Sequence, residues 1–335
     1  MYLAFYGLTE KPFSMTPDPR FLYLTPGHRE ALAQLTYAVR EGQGFVALIG
    51  DVGTGKTTLL RALLEHLDEK TAVALVVNSS LPFDGILEYV LEDFGVSKAG
   101  ETRAQRLVAL NNFLIERHRA GQKSIIIIDE AQHLDSATLE QLRLLSNFQT
   151  ARETLLQILL AGQPELRVRL DLPELRQLKQ RIALRCAIRP LTPDEVRAYV
   201  RFRLRVAGSR DLDLFTDQAI TRIAAYAGGI PRVVNTLADH CLLIGYADQR
   251  RRVNRDTVDE AIAYLEDGAP APRRRAGTRA RARRRGLQWA IAGGTAVLGV
   301  TAAVALAALV REGLLPGSIT TSLESLLRAA LGFLW

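Results

Sequence analysis

The run Gly50-Asp51-Val52-Gly53-Thr54-Gly55-Lys56-Thr57 constrains this chain more than any other segment. Its spacing is that of a phosphate-binding loop, with glycines where backbone must wrap closely around an anion and a lysine and a hydroxyl at its end. Such a loop works only between a strand and a helix. Phe45–Ile49 before it is a short apolar run, and Thr57–Leu67 after it has helical spacing, so the context is present. The free N–H groups of a helix start would face the phosphate oxygens. Lys56 would neutralise the β- and γ-phosphates, and the Thr57 hydroxyl would ligate Mg²⁺. Gly50 to Thr57, together with Thr58, are the expected nucleotide-binding residues, and ATP and Mg²⁺ the expected cofactors.

A second motif sits where such a loop needs it. Ser124–Ile128 is strongly apolar and ends in Asp129-Glu130. At the C-terminal edge of a neighbouring strand, Asp129 can hold Mg²⁺ through water, and Glu130 can act as general base on the attacking water. A carboxylate pair there separates hydrolases from P-loop kinases; the competing reading is an acidic helix cap. Gln163, in Ala161-Gly162-Gln163-Pro164, either orients the lytic water or simply turns the chain before Pro164. Arg181 stands just before the last predicted strand. There it can reach the γ-phosphate of a neighbouring subunit, with Arg176 and Arg185 as rivals and a solvated arginine as the plain alternative. Gly228-Gly229-Ile230-Pro231-Arg232 opens a helix, with Pro231 suited to the first turn. Arg232 would project from that start toward the nucleotide, unless it lies on a solvated face. The catalytic candidates are therefore Glu130, Arg181, Gln163 and Arg232, and the metal candidates Thr57 and Asp129. His133 reads as structural.

These motifs lie on an alternating pattern. Phe45–Ile49, Val73–Val77, Ile125–Ile128, Leu155–Leu160 and Ile182–Ile188 read as strands, the last as an edge because its polarity alternates. Helical spacing occupies Arg29–Arg40, Thr57–Leu67, Phe83–Phe94, Arg103–Arg119 and Ala137–Phe148. Pro193–Val206, Thr216–Tyr226, Pro231–Tyr246 and Asp256–Leu265 follow without strands between them. Alternating strand and helix implies a parallel sheet with helices on both faces. The expected fold is an α/β P-loop core of the AAA+ type with a C-terminal helical lid and then one transmembrane helix. The expected domains are 1–190 for the core with an aromatic N-terminal segment, 191–266 for the lid, 267–285 for an Arg-rich linker, 286–310 for the span and 311–335 for a short extracytoplasmic tail.

Charge and hydropathy set the last zone apart. The formal net charge of +7 comes from a cluster of arginines between Arg273 and Arg285; the remainder is close to neutral. Gly286–Val310 carries no charged residue and is long enough to cross a hydrocarbon core of about 30 Å. Its small residues suit packing against another helix, and Trp289 suits the interface. Arginines immediately before a span act as a topology signal and contact lipid headgroups, a simpler reading than nucleic-acid binding. Met1–Glu10 lacks the basic and apolar regions of a signal peptide, so the ATPase part is expected in the cytoplasm. Cys186 and Cys241 sit in apolar runs and read as buried thiols of a reducing compartment.

The opening Phe5-Tyr6-Gly7-Leu8, then Lys11-Pro12-Phe13, Pro17-Asp18-Pro19-Arg20-Phe21-Leu22-Tyr23 and His28-Arg29-Glu30-Ala31-Leu32, resembles the general secretion pathway protein A family. Asp129-Glu130-Ala131-Gln132, Gly162-Gln163-Pro164-Glu165-Leu166 and Gly229-Ile230-Pro231-Arg232 fit it as well, and the resemblance covers about Met1 to Leu265. It implies a membrane-anchored AAA+ ATPase that drives or regulates assembly of a bacterial envelope secretion, pilus or exopolysaccharide system. It also implies an inner-membrane location, with the ATPase on the cytoplasmic side. Implied partners are an envelope export protein and further copies of the chain, a hexameric ring being one such homo-oligomer. Many members carry a peptidoglycan-binding domain after the span. Here about twenty-five residues follow Val310, too few for such a domain, so peptidoglycan binding is not expected. The ATPase module is similar to transposition-regulator ATPases too, which keeps a DNA-binding regulator as the alternative, beside a nucleotide-gated scaffold. The span argues against the first and Glu130 against the second.

Overall fold

The computed structural model describes residues 2–16, 18–96, 100–150 and 153–267. The predicted linker, span and tail lie outside the described residues; among those described, no helix is long and apolar enough to cross a membrane.

Among the described residues, five strands form one parallel sheet: β1 Phe45–Gly50, β2 Ala72–Val76, β3 Ser124–Ile128, β4 Gln157–Gly162 and β5 Ile182–Ile188, in the order β2-β3-β4-β1-β5. The three central strands are fully buried, as strands covered on both faces must be. Side chains alternate across a strand, so each apolar run feeds two cores. Ile126, Ile128, Ile158 and Leu160 enter one core, with Ile86, Leu110 and Leu142. Ile125, Ile127, Val46, Leu48 and Leu159 enter the other, with Leu35, Leu59 and Leu63. β5 is an edge strand, as its alternating sequence predicts.

Among the described residues, twelve α-helices accompany the sheet. In chain order they are α1 Tyr2–Tyr6, α2 Pro26–Glu41, α3 Lys56–His66, α4 Phe83–Asp93, α5 Arg103–Arg119, α6 Ser136–Leu145, α7 Pro164–Leu170, α8 Arg176–Arg181, α9 Pro193–Val206, α10 Asp217–Ala227, α11 Pro231–Ala247 and α12 Arg255–Asp267. Local chemistry marks their starts. Thr25, Asp135 and Thr216 accept a backbone N–H three residues on, and Thr102 and Thr192 complete reciprocal caps with Gln105 and Glu195.

Some boundaries differ from the sequence reading. β4 begins at Gln157 rather than Leu155, because the Leu155 N–H is taken by the Phe148 carbonyl beside the antiparallel bridge between Gln149 and Thr154. α6 ends at Leu145 rather than Phe148, where Ser146, Asn147 and Phe148 bond three residues back. The short helices α1, α7 and α8 are not apparent from periodicity.

α9 to α12 form a bundle with its own core. The N-terminal aromatic segment, grouped with the α/β core in the sequence reading, packs on this bundle instead. Tyr2, Tyr6, Leu8, Phe13 and Phe21 are buried against Val200, Leu204, Phe215 and Leu237. Phe13 meets Phe215 edge-on at 5.8 Å. The Tyr2 hydroxyl donates to Asp239 at 2.6 Å, and the Tyr6 hydroxyl to the Arg250 carbonyl at 3.1 Å. The segment is a strap running from the bundle to the start of α2, just ahead of β1.

Candidate functional site

One cavity joins the phosphate loop, the strap and the bundle. It is lined by Val52 to Thr58 of the loop, Glu130 after β3, His28 of α2, strap residues such as Met15 and Tyr23, and Pro231, Arg232 and Asn235 of α11. The loop turns directly from β1 into α3, so the N-terminal end of α3 faces this cavity. Lys56 is buried and donates to the carbonyls of Gly50 at 2.9 Å and Asp51 at 3.1 Å. Burial pushes its ammonium pKa down, and the pull of Glu130, Asp129 and Asp51 only partly opposes this. Thr58 also faces the cavity, whereas Gly50 and Asp51 contribute backbone oxygens that hold Lys56.

The predicted metal pair is assembled. The Thr57 hydroxyl donates to Asp129 Oδ2 at 2.8 Å, across the gap between α3 and the end of β3. Asp129 is buried, and its backbone N–H is held by the Val76 carbonyl of β2 at 3.0 Å. Two oxygen donors beside a phosphate cradle fit a hard cation that keeps water and phosphate as its other ligands.

Glu130 follows in the left-handed region, at φ 53°. This is an uncommon conformation for a side-chain-bearing residue, and it belongs to a sharp turn out of the sheet. The Ser79 hydroxyl holds the Glu130 carbonyl at 2.8 Å. Its carboxylate Oε2 accepts from Gln132 Nε2 at 2.6 Å and from Gln163 Nε2 at 3.0 Å. Gln132 Oε1 in turn accepts the Gln163 N–H at 3.0 Å, so the two amides and the carboxylate form a closed ring. Burial pushes the Glu130 carboxyl up. The hydrogen bonds from Gln132 and Gln163 and the Lys56 charge outweigh it, leaving the pKa below the usual carboxylate value. Glu130 is therefore ionised at neutral pH and stays so into acid below the usual range.

Gln163 thus does more than turn the chain. It occupies the cap position of α7 without making a side-chain cap bond, and its amide goes to Glu130. Arg232 lies in the first turn of α11 and lines the cavity. Its N–H donates to the Gly53 carbonyl at 3.3 Å. A Cβ on Gly53 would lie 2.7 Å from the Arg232 Cβ, and Gly53 has φ 79°, so no other residue fits that crossing. Gly229 answers it from the bundle side. Its φ is 75°, and a Cβ there would meet the Leu191 carbonyl oxygen at 2.1 Å. Arg181 lies elsewhere: it is exposed at the end of α8 and bonds the Ser146 hydroxyl, outside the cavity of its own chain. Arg176 and Arg185 are exposed and outside it as well.

Four contributors escape the motif reading. His28 is buried. Its Nδ1 pairs with the Thr25 hydroxyl at 2.7 Å and its Nε2 with the Thr54 carbonyl at 3.1 Å, so it braces the loop from α2. Gln132 holds the carboxylate. The strap supplies the wall opposite the loop, and Tyr199, Arg203 and Asn235 supply a polar corner. The sequence signal for the strap was the aromatic run ending in His28; for Gln132 it was adjacency to Asp129-Glu130. His133 does not line the cavity, its Nε2 lying 3.5 Å from Gln132 Nε2, and both cysteines are free and buried, with burial pushing the Cys186 thiol up to about 11.

Comparison with known proteins bears on the fold and the family. Residues 39–170 match a family model described as an AAA domain. The chain is 42% identical over 269 residues to general secretion pathway protein A of Aeromonas hydrophila, covering 80% of this chain and 49% of the relative. It is 35% identical over 119 residues to an aliphatic sulfonates import ATP-binding protein of Paraburkholderia xenovorans, covering 31% of this chain and 48% of that one. The chain thus spans about half the length of the curated relatives it matches. Among solved structures, the ORC2 protein of Aeropyrum pernix in its ADPNP–ADP complexes superposes with a TM-score of 0.57 at 17% identity, over 78% of this chain and 72% of that one. The ORC1 protein of the same organism, in complex with DNA, gives 0.56 at 19% identity, over 77% and 70%. At such identities the likeness is one of fold: an α/β P-loop AAA+ fold with a parallel sheet.

The ring around Glu130 has a measurable consequence. Removing the Gln132 amide leaves the carboxylate equally buried with one donor fewer, so Gln132→Ala should raise the Glu130 pKa. Carboxyl carbon NMR titration of both proteins reads this directly. An unchanged or lowered value would mean that Gln132 does not stabilise the ionised form.

Proposed function

We propose that this AAA+ chain, similar to general secretion pathway protein A over four fifths of its length, hydrolyses ATP and couples the cycle to its helical bundle. The observation that carries the reading is the convergence on one cavity of the phosphate loop, the Thr57–Asp129 pair, the amide-held Glu130 and Arg232 of the bundle. Lys56 would leave its loop carbonyls for the β- and γ-phosphates. Thr57 and Asp129 would hold Mg²⁺, which when bound neutralises charge developing on the phosphates. Glu130, ionised and fixed by Gln132 and Gln163, would take a proton from the attacking water. Arg232 would sense the γ-phosphate while its backbone grips Gly53, so loss of phosphate is felt by α11. This is the sense in which the bundle acts as a lid.

Arg181 lies on the surface, outside its own cavity, as a residue acting on a neighbouring subunit's nucleotide must. This supports a homo-oligomer, such as a hexameric ring, with the site completed between subunits. The likeness to general secretion pathway protein A supports a role in assembling an envelope secretion, pilus or exopolysaccharide apparatus. The uncharged run 286–310 behind an arginine cluster supports an anchor in the inner membrane with the ATPase on the cytoplasmic side.

Nucleotide affinity and phosphate release test the chemistry. Lys56→Ala should lose ATP binding, whereas Glu130→Gln should bind ATP and release phosphate at least about a hundredfold more slowly, the scale of a lost general base. Arg181→Ala should bind ATP yet turn over slowly, with partial recovery on mixing with Lys56→Ala. Wild-type turnover by Glu130→Gln would remove Glu130 from the mechanism.

The anchor is tested by fractionation. Protein lacking residues 287–335 should leave the membrane fraction, and the full chain should stay in it under high salt. A truncated protein that still sediments with membranes in high salt would contradict the anchor.

A further inference from the structure

Apart from His28, three side chains of the Asp, Glu, Lys and Arg type are buried among the described residues: Lys56, Asp129 and Arg203. The first two serve the phosphate end of the cavity. Arg203, on α9, has no such assignment, and it makes no ion pair among the described residues. Burying an unpaired guanidinium is costly unless its N–H groups are satisfied. Here they are. Nε donates to the Pro12 carbonyl at 2.6 Å, one terminal nitrogen to the Ser14 carbonyl at 3.0 Å and the other to the Tyr199 hydroxyl at 3.0 Å. The Phe21 ring covers it at 4.6 Å. Every one of these partners is either in the strap or on α9 itself, so the cation ties the strap to the bundle.

The direction of the bonds matters. A guanidinium can only donate, so the Tyr199 oxygen is an acceptor toward Arg203. Its own proton then goes to Asn235 Oδ1, at 2.9 Å. Asn235 Oδ1 is thus turned toward Tyr199, which leaves the amide N–H₂ on the other side, and Asn235 lines the cavity on α11. The phosphate loop and Glu130 fix where the phosphates lie. Asn235, Tyr199 and the strap residues Met15, Thr16 and Tyr23 line the remaining wall, which is what a nucleoside would meet.

Resting on the ATP reading above, we propose that Asn235 donates a hydrogen bond to the nucleoside part of the bound nucleotide, and that Arg203 is the positioning residue that orients Asn235 through Tyr199 and closes the strap over the same end. Arg203 touches no phosphate in this arrangement. Its loss therefore weakens recognition of the nucleoside and spares recognition of the phosphate chain.

That separation supplies the test. Affinities of the full chain for Mg-ATP and for Mg-tripolyphosphate, which has the phosphates without the nucleoside, are measured for wild type, Arg203→Met, Tyr199→Phe and Asn235→Ala. Wild type should bind ATP more tightly than tripolyphosphate. Each variant should lose about tenfold in ATP affinity, the scale of one hydrogen bond to a polar ligand group, with tripolyphosphate affinity unchanged. Asn235→Ala and Tyr199→Phe keep the test open should Arg203→Met not fold. Equal loss for both ligands would make the trio merely structural, and unchanged ATP affinity in Asn235→Ala would overturn the proposal. Absence of binding of either ligand to wild type would overturn the underlying phosphate-site reading as well, and is thereby told apart from failure of the nucleoside subsite alone.

Discussion

The contact between Gly53 and Arg232 is the constraint on which the rest of the site depends. A phosphate loop on its own is an open cradle at the edge of a sheet. Here the start of α11 comes so close that a Cβ on Gly53 would be 2.7 Å from that of Arg232, and the backbones are joined by a hydrogen bond at 3.3 Å. The approach is possible only because Gly53 and Gly229 both take left-handed conformations that favour glycine. It converts the cradle into a cavity with walls from both the sheet and the bundle, whose hydrophobic cores are separate clusters.

The strap extends the same logic. Its aromatic side chains belong to the bundle's core, while its chain continues into α2, which packs on the sheet beside the loop. His28 at the start of that helix touches the Thr54 carbonyl. A shift of the bundle would therefore pull on the loop from two directions, through Arg232 and through the strap. In physical terms this is how loss of a phosphate could be converted into movement: a tightly packed joint has few intermediate positions.

The core and the phosphate site were legible because their signals are local. Apolar runs of strand length, the glycine spacing before Lys56 and the acidic pair after Ser124–Ile128 each carry their meaning within a few residues. Gln163 and Arg232 could be nominated because each follows a recognisable element, and the structure brings both to the site. What could not be read was chosen by tertiary packing. Gln132 looks like any polar residue after a strand until its amide is seen on Glu130. Arg203 lies on an amphipathic helix rich in arginine, where a solvated cation is the ordinary expectation, and only the folded strap shows why this one is buried. The strap itself was misgrouped with the α/β core because sequence proximity to β1 says nothing about which core its aromatic rings enter.

In the cycle proposed above, nucleotide would be clasped by loop, bundle and strap together. Hydrogen–deuterium exchange on the full chain with Glu130→Gln, with and without Mg-ATP, tests it most directly, because that variant is expected to hold ATP without consuming it. The account predicts that amides in 50–58, in 229–235 and in 12–16 all exchange more slowly when ATP is bound. Slowing confined to 50–58, with the bundle and strap unchanged, would contradict it.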